Sequence, residues 1–414
     1  MRQSQLFTKT LRESSKDAIS ANAQLLERGG FIYKNSAGVY TYLPLGWRVI
    51  NKIAQIIREE INALGAVELL MPALVEKKYW EVTGRWDVDI GYEVLGREVL
   101  RRAQDEHKAS FMLGWTHEEV LTDIVAKYIS SYKDLPFSAY QIQTKFRNES
   151  RAKSGILRGK EFMMKDLYSF HKNEEDLFLF YEKTKEAYKK IFSRMGLKAI
   201  DTVAAGGAFT AAHTHEFQVL APVGEDTIIY CAQCDYAENI EISKLKNGDS
   251  CPKCGGLVKE EKAIEVGNVF PLGTKYSEAF NLRYSNERGE KQLVVMGSYG
   301  IGLGRAMGTV VEIYHDDKGI IWPESVAPFK VHLLELGQAS AKNFYEDLQK
   351  QNIEVLYDDR QISAGEKLVD ADLLGMPWRL VVSDKTKDKI EFKKRDSSDV
   401  DLLTREEVFN RLKI

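Results

Sequence analysis

Phe146-Arg147-Asn148-Glu149, followed by Arg158-Gly159-Lys160-Glu161-Phe162 and closed by Asp166, is the stretch whose reading decides the fold of this 414-residue chain. Apolar and polar residues alternate from Ala139 to Arg147 and again from Phe162 to Phe170, the period of two strands joined by a polar loop. On such a hairpin Arg147, Glu149, Arg158 and Phe162 converge on one ligand. Arginine suits bidentate phosphate recognition, phenylalanine offers a face to a base, and a carboxylate accepts a hydrogen bond from an exocyclic amine. Together they fit a nucleoside triphosphate. Taken singly, each is explained at least as well by strand solubility or core packing.

Two further segments extend this reading. Met296-Gly297-Ser298-Tyr299-Gly300-Ile301-Gly302-Leu303-Gly304-Arg305 lies between the apolar run Leu293-Val294-Val295 and a helical pattern from Ala306 to Glu312. Its glycines predict a strand-to-helix turn pressed against a sheet, with Arg305 projecting from the first helical turn, where the dipole favours anions. Close packing alone is the usual meaning of such glycines. It is not a dinucleotide fingerprint, because no βαβ unit with an acidic residue about 20 positions on follows it. Earlier in the chain, Val49, Ile50, Ile53, Ile56, Ile57, Ile61 and Leu64 recur at helical spacing. Gly65 ends that helix, and Ala66-Val67-Glu68-Leu69-Leu70-Met71 reads as a strand running into Pro72.

All four cysteines fall in one short segment. Cys231-x2-Cys234 and Cys251-x2-Cys254, 16 residues apart, have the spacing of a tetrahedral zinc ribbon. Disulfides are the alternative, disfavoured in an intracellular chain. With thiolates at every position the metal would be structural. Composition is that of a soluble protein, 44% hydrophobic and 29% charged, with 58 basic against 61 acidic residues and a net charge of −3. Binding of a nucleic acid would therefore rest on local basic patches and not on overall charge. No apolar run reaches the roughly 18 residues of a membrane span and no apolar signal segment opens the chain, so the expected location is the cytoplasm.

The hairpin resembles motif 2 of the class II aminoacyl-tRNA synthetases, the glycine-rich stretch with Arg305 resembles their motif 3, and the helix and strand before Pro72 resemble motif 1, the dimer interface of that family. Leu113-Gly114-Trp115-Thr116-His117-Glu118-Glu119, the run Tyr140 to Arg147, and Leu272-Gly273-Thr274-Lys275-Tyr276-Ser277-Glu278 are similar to bacterial prolyl-tRNA synthetases, and the similarity covers nearly the whole chain. The resemblance implies an α+β catalytic domain built on an antiparallel sheet flanked by helices, in two parts, 1–225 and 263–324. A zinc-ribbon insert would occupy 226–262, where many relatives carry a large editing domain, and an α/β anticodon-binding domain 325–414. Alternating strands and helices after Pro328 agree with the last of these.

It also implies an activity: L-proline is activated with ATP and Mg2+ to prolyl-adenylate and transferred to the 3′ end of tRNA(Pro) by a homodimer, without editing in the same chain. By the same resemblance Arg147 and Arg305 are catalytic. Arg147 holds the α-phosphate and the proline carboxylate, Arg158 and Arg305 the terminal phosphates, Phe162 stacks on adenine and Glu149 reads its amino group. Glu265, Gly267, Asn268, Gly302 and Gly304 lie near the nucleotide. Thr116 and Glu118 recognise the proline nitrogen, with Phe270, His215 and Glu216 closing the pocket; Asp359, Arg360 and Lys367 are anticodon candidates. The chain departs from the family pattern at Trp115, where proline is usual, at Arg151-Ala152-Lys153-Ser154, which replaces a more basic loop, and at Asn268, which replaces a common histidine. Two alternatives stay open: another class II synthetase such as the threonyl enzyme, and a non-catalytic synthetase-like tRNA-binding protein.

Overall fold

A computed structural model describes residues 1–95, 110–150, 154–207 and 213–412; Arg151, Ala152 and Lys153 of the loop singled out above lie outside the described residues. A nine-stranded sheet organises the first three quarters of the chain. Toward one end of it, beside the edge strand Val67–Glu68, lies the predicted hairpin, Phe137–Phe146 against Glu161–His171, in register from Phe137–Phe170 to Phe146–Glu161. The next strand is Val295–Gly302, antiparallel to Glu161–His171, and then comes Val258–Gly273. Thr214–Leu220 and Asp226–Cys231 pair with successive lengths of that long strand, which therefore runs unbroken from the cysteine segment into the catalytic sheet. The sheet is antiparallel except where Val67–Glu68 joins Phe137–Phe146 and where Glu238 meets Val203.

The glycine-rich stretch, predicted as a turn, is a strand up to Gly302, and the helix Leu303–Ile313 begins at once after it. Glycine is disfavoured in strands, but here neighbours close on the backbone: a Cβ on Gly300 would lie 2.9 Å from Asn268 Oδ1, and one on Gly304 2.3 Å from the Tyr42 hydroxyl. The predicted strand Ala66–Met71 shortens to Val67–Glu68. Past it, side chains of the neighbouring strand replace the ladder: Gln141 accepts from the Met71 amide at 2.9 Å, and Gln143 donates to the Met71 carbonyl at 2.8 Å.

One face of the sheet is covered by the helices Pro44–Ala63, Glu174–Arg194 and Leu303–Ile313. Val49, Ile50, Ile53, Ile56, Ile57 and Ile61 are buried there with Tyr188, Ile191, Phe192 and Val310. Each such side chain contributes about 1.5–3 kcal/mol relative to exposure. Pro44 supplies the first turn, where a missing N–H costs nothing, and Gly65 at φ +83° turns the chain out of the helix. Asn173 caps the second helix by accepting from the Asp176 amide, and Glu174, Glu175 and Asp176 face its dipole. The opposite face carries a second core of Met71, Trp80, Trp115, Leu121, Tyr168 and Phe170, and the candidate site lies beside it.

The C-terminal unit is a five-stranded sheet in the order Val355–Asp358, Val331–Leu336, Trp378–Ser383, Ile390–Lys394, Asp401–Leu403; the first three strands are parallel. It is fastened to the catalytic unit at several points. Arg48 donates to the Pro328 carbonyl at 2.7 Å and pairs with Glu354, Arg395 pairs with Asp316 at 2.7 Å, and buried His332 meets Gln3 at 2.9 Å.

Candidate active site

The hairpin, the long strand Val258–Gly273 and the start of the helix at Leu303 form an open cleft lined by Arg147, Glu149, Arg158, Phe162, Glu265 and Arg305, together with Gly267, Asn268 and Gly302. Gly304 packs on Tyr42 and is not part of the lining. The Arg147 guanidinium lies 5.3 Å from the centre of the Phe162 ring, within cation–π range. Arg158 is held by Glu149 at 2.8 Å and Glu225 at 2.6 Å. Arg305 is held by Glu265 at 3.1 Å and donates to the Leu157 and Glu265 carbonyls, both at 3.0 Å. Asn268 donates to Glu265 at 2.8 Å and accepts from the Gly300 amide at 3.2 Å.

Among the described residues Arg147 has no carboxylate partner of this kind, and burial and the nearby Arg305 charge both press its pKa down. An anion entering the cleft relieves that stress. Along one wall Glu216, Glu265 and Asp226 crowd together; burial first, then the other two carboxylates, push Glu216 up to about 8, and Gln218 donates to Glu216 and Asp226 at 2.9 Å each.

Next to this cleft, the loop Gly114–Glu118 presents a carboxylate fully shielded from water. Glu118 accepts from Thr116 and from Arg85 at 3.2 Å through one oxygen and from Ser298 at 3.2 Å through the other. Phe270 is the strand partner of Ser298 and so shares its face of the sheet. The loop is braced from below. The Lys145 ammonium lies 2.8 Å from Asp166 and 2.7 Å from His117 Nδ1, while His117 Nε2 meets the Pro72 carbonyl at 3.0 Å. Burial and then the Lys145 charge push His117 down to about 4, so the ring is neutral and accepts from lysine. His215 is turned away from this pocket. It bonds the Tyr181 hydroxyl at 2.9 Å under the helix Glu174–Arg194, whereas Glu216, one residue on, faces the cleft wall as strand alternation requires.

Sequence reasoning missed Arg85 and Ser298. Ser298 sits inside the glycine-rich stretch and was legible as a polar residue on its strand; Arg85 follows a short helix, more than 30 residues before its partners Glu118 and Glu119, and carries no local signal. In the C-terminal unit the anticodon candidates are already engaged. Lys367 is buried and donates to the Glu335 and Asp358 carbonyls at 2.6 and 3.2 Å, Arg360 pairs with Asp358 and Asp370, and Asp359 accepts from the Ser4 amide at 3.1 Å.

The four cysteine sulfurs lie within 4.8 Å of one another, with Cys231–Cys254 and Cys234–Cys251 each at 3.6 Å, and none forms a disulfide. A tetrahedron with zinc–sulfur bonds of about 2.3 Å has sulfur–sulfur edges of about 3.8 Å, so the residues fit that metal. Such a site stabilises small folds by roughly 10–16 kcal/mol at neutral pH. Cys231→Ser or Cys254→Ser is therefore expected to unfold the segment locally while the arginine cleft persists. Elemental analysis and proteolysis of the segment check this; metal-free, protease-resistant wild-type protein with four titratable thiols contradicts it.

Residues 100–314 match the family described as tRNA synthetase class II core domain (G, H, P, S and T), and residues 326–413 match the anticodon binding domain family. With the antiparallel sheet and the arginine cleft, these matches define a class II aminoacyl-tRNA synthetase. Proline--tRNA ligase of Sulfurihydrogenibium sp. (strain YO3AOP1) is 34% identical over 99% of this chain and 98% of its own length. Those of Bacillus subtilis (strain 168) and Geobacillus kaustophilus (strain HTA426) are 34% and 36% identical, each over 92% of this chain and 94% of their own lengths. The chain belongs to the proline--tRNA ligase family. The first of these alignments runs over 562 positions against 414 residues here, so that relative carries a long segment this chain does not.

Proposed function

We propose that this chain activates L-proline with ATP and transfers the prolyl group to the terminal adenosine of tRNA(Pro). The observation that carries the reading is the convergence of Arg147, Arg158 and Arg305 with Phe162 on one cleft, beside the shielded Thr116–Glu118–Ser298 pocket. In the first step a proline carboxylate oxygen bonds to the α-phosphorus, the bond to the bridging oxygen breaks, and pyrophosphate leaves with the electron pair. No covalent enzyme nucleophile or general base is needed; positioning and charge neutralisation carry the catalysis. Arg147 spans carboxylate and α-phosphate, while Arg158 and Arg305 exchange their carboxylate partners for the terminal phosphates. Phe162 stacks on adenine, with Glu149 at its amino group and Glu265 and Asn268 along the nucleotide. Magnesium bound to the ATP would supply further neutralisation of phosphate charge. In the second step the tRNA hydroxyl attacks the carbonyl carbon and AMP leaves.

Glu118, oriented by Thr116 and Ser298, accepts from the secondary ammonium, and Phe270 packs against the ring. The cysteine segment holds structural zinc. No helix among the described residues is long and apolar enough to cross a membrane, which fits a cytoplasmic enzyme. A homodimer through the end of the sheet is supported by the edge strand Val67–Glu68 and by exposed Val67 and Leu70, the latter 73% exposed.

Alanine fits any pocket made for proline, and loss of about one methylene of contact discriminates by only roughly 1–3 kcal/mol. Between Thr214 and Glu265 the chain forms sheet strands and the cysteine cluster, and we infer no hydrolytic site there. Incubated with ATP, tRNA(Pro) and labelled proline, the chain is expected to accumulate prolyl-tRNA; supplied with pre-formed alanyl-tRNA(Pro), it is expected to leave it intact. Absence of charging contradicts the activity. Enzyme-dependent deacylation that survives Arg147→Ala contradicts the lack of editing.

A further inference from the structure

Glu118 is shared between the substrate pocket and a buried cluster behind it. Arg85 Nη1 donates to Glu118 at 3.2 Å, to Glu119 at 2.8 Å and to the Tyr276 hydroxyl at 2.7 Å, although Arg85 is only 6% exposed. Its guanidinium lies 4.2 Å from the centre of the Trp115 ring, which stacks on Trp80 at 5.3 Å with the planes 11° apart. A guanidinium is the cation suited to such a place, because it stacks on an indole while its edge binds carboxylates. Trp115, one of the positions that depart from the family pattern, thus supplies the surface on which Arg85 rests.

We propose that Arg85 is a positioning residue for amino-acid selection, fixing the Glu118 carboxylate to receive the substrate's secondary ammonium and dividing its charge between Glu118 and Glu119. This rests on the reading of Thr116 and Glu118 as the proline site. Charge balance carries the argument further. With both glutamates ionised, Arg85 offsets one of two negative charges, and the remaining one matches one ammonium. The neighbouring Lys145 is already matched by Asp166. Glu119 also accepts from Thr83 at 2.9 Å, but its second oxygen is buried without a hydrogen-bond partner. Two carboxylates that meet on one guanidinium nitrogen repel each other once that cation is removed. Without Arg85 nothing offsets that repulsion, and Glu118 keeps only Thr116 and Ser298 of the three donors that orient it.

The test is ATP–pyrophosphate exchange by the full-length chain, with KM for proline and for ATP measured separately. Arg85→Met is expected to raise the proline KM on the order of 10²-fold and to leave the ATP KM within about threefold. Arg85→Lys keeps the charge but loses the planar stack, and is expected to raise the proline KM by only about tenfold. If the Met variant does not fold, the Lys variant carries the comparison alone. Adding Glu119→Gln to Arg85→Met removes the competing carboxylate and is expected to restore about tenfold of the lost proline affinity, a recovery that a role in packing alone does not produce. The proposal is overturned if Glu118→Gln raises the proline KM while neither Arg85 variant does, or if the Arg85 variants weaken ATP and proline equally. It is also overturned if Glu119→Gln brings no recovery in a folded Arg85→Met protein. If Glu118→Gln itself leaves the proline KM unchanged, the placement of the proline site fails instead.

Discussion

Replacing Arg147 by alanine is expected to lower prolyl-adenylate formation by on the order of 10²–10³, with the fold retained, by analogy with the loss of a charge-stabilising donor in acyl transfer. The reason lies in how the three cleft arginines are held. Arg158 and Arg305 are each satisfied by carboxylates, and the phosphates can only replace partners those residues already have. Arg147 is packed on Phe162, touches the Trp115 carbonyl at 3.4 Å, and has its charge opposed by burial and by Arg305. It gains most when anionic charge enters between proline and ATP. Its removal leaves a neutral gap, so folding suffers little and chemistry suffers much. Single-turnover adenylate formation checks this, alongside thermal unfolding of the same protein. A folded variant with a near-normal rate contradicts the role given to Arg147.

A comparably large effect is expected on stability, at a residue far from the cleft. His332 is 1% exposed, and burial pushes it down to about 4. Its Nε2 meets the Gln3 side chain at 2.9 Å and its Nδ1 has no partner, so the folded protein holds the ring neutral. Between about 6.5 and about 4 the unfolded chain takes up a proton that the folded chain refuses. The stability contribution is therefore complete above 6.5 and is lost as the pH falls through this window, by roughly 3 kcal/mol. Glu216, pushed up to about 8, works in the opposite direction, because its folded form keeps a proton the unfolded form releases. The wild-type profile mixes both, and the difference between wild type and His332→Gln isolates the histidine. In urea unfolding the variant should gain on wild type by about 3 kcal/mol between pH 7.5 and pH 4. Parallel pH profiles contradict a buried neutral His332.

Much of this architecture was legible in the residues, for physical reasons that vary from element to element. The helix Pro44–Ala63 announced itself because one face is almost wholly aliphatic and Gly65 ends it. The hairpin was legible because apolar and polar residues alternate along both arms, although the structure buries both faces of much of it, and the C-terminal strands because they are apolar runs between helices. The glycine-rich stretch was harder: by local preference it is a turn, and pairing with a strand on each side makes it a strand, with Asn268 and Tyr42 close to its glycines. Within the site, the nucleotide residues converge because one hairpin carries four of them. His215 and Glu216 were grouped in one pocket, yet neighbours on a strand face opposite sides, and the structure separates them. Lys367 looked like a contact to nucleic acid, but its ammonium is consumed by two carbonyls. Arg85 had no signal at all, because its partners come from a loop and two helices distant from it in the chain.

The measurement that bears most directly on the central claim is amino-acid-dependent ATP–pyrophosphate exchange with proline, threonine, alanine and cysteine compared in one preparation. The cleft and the Thr116–Glu118–Ser298 pocket predict rapid exchange with proline and weak but measurable exchange with alanine. They predict none above background with threonine. Exchange driven best by threonine, or no exchange with any amino acid from a folded protein that binds tRNA, would contradict the account.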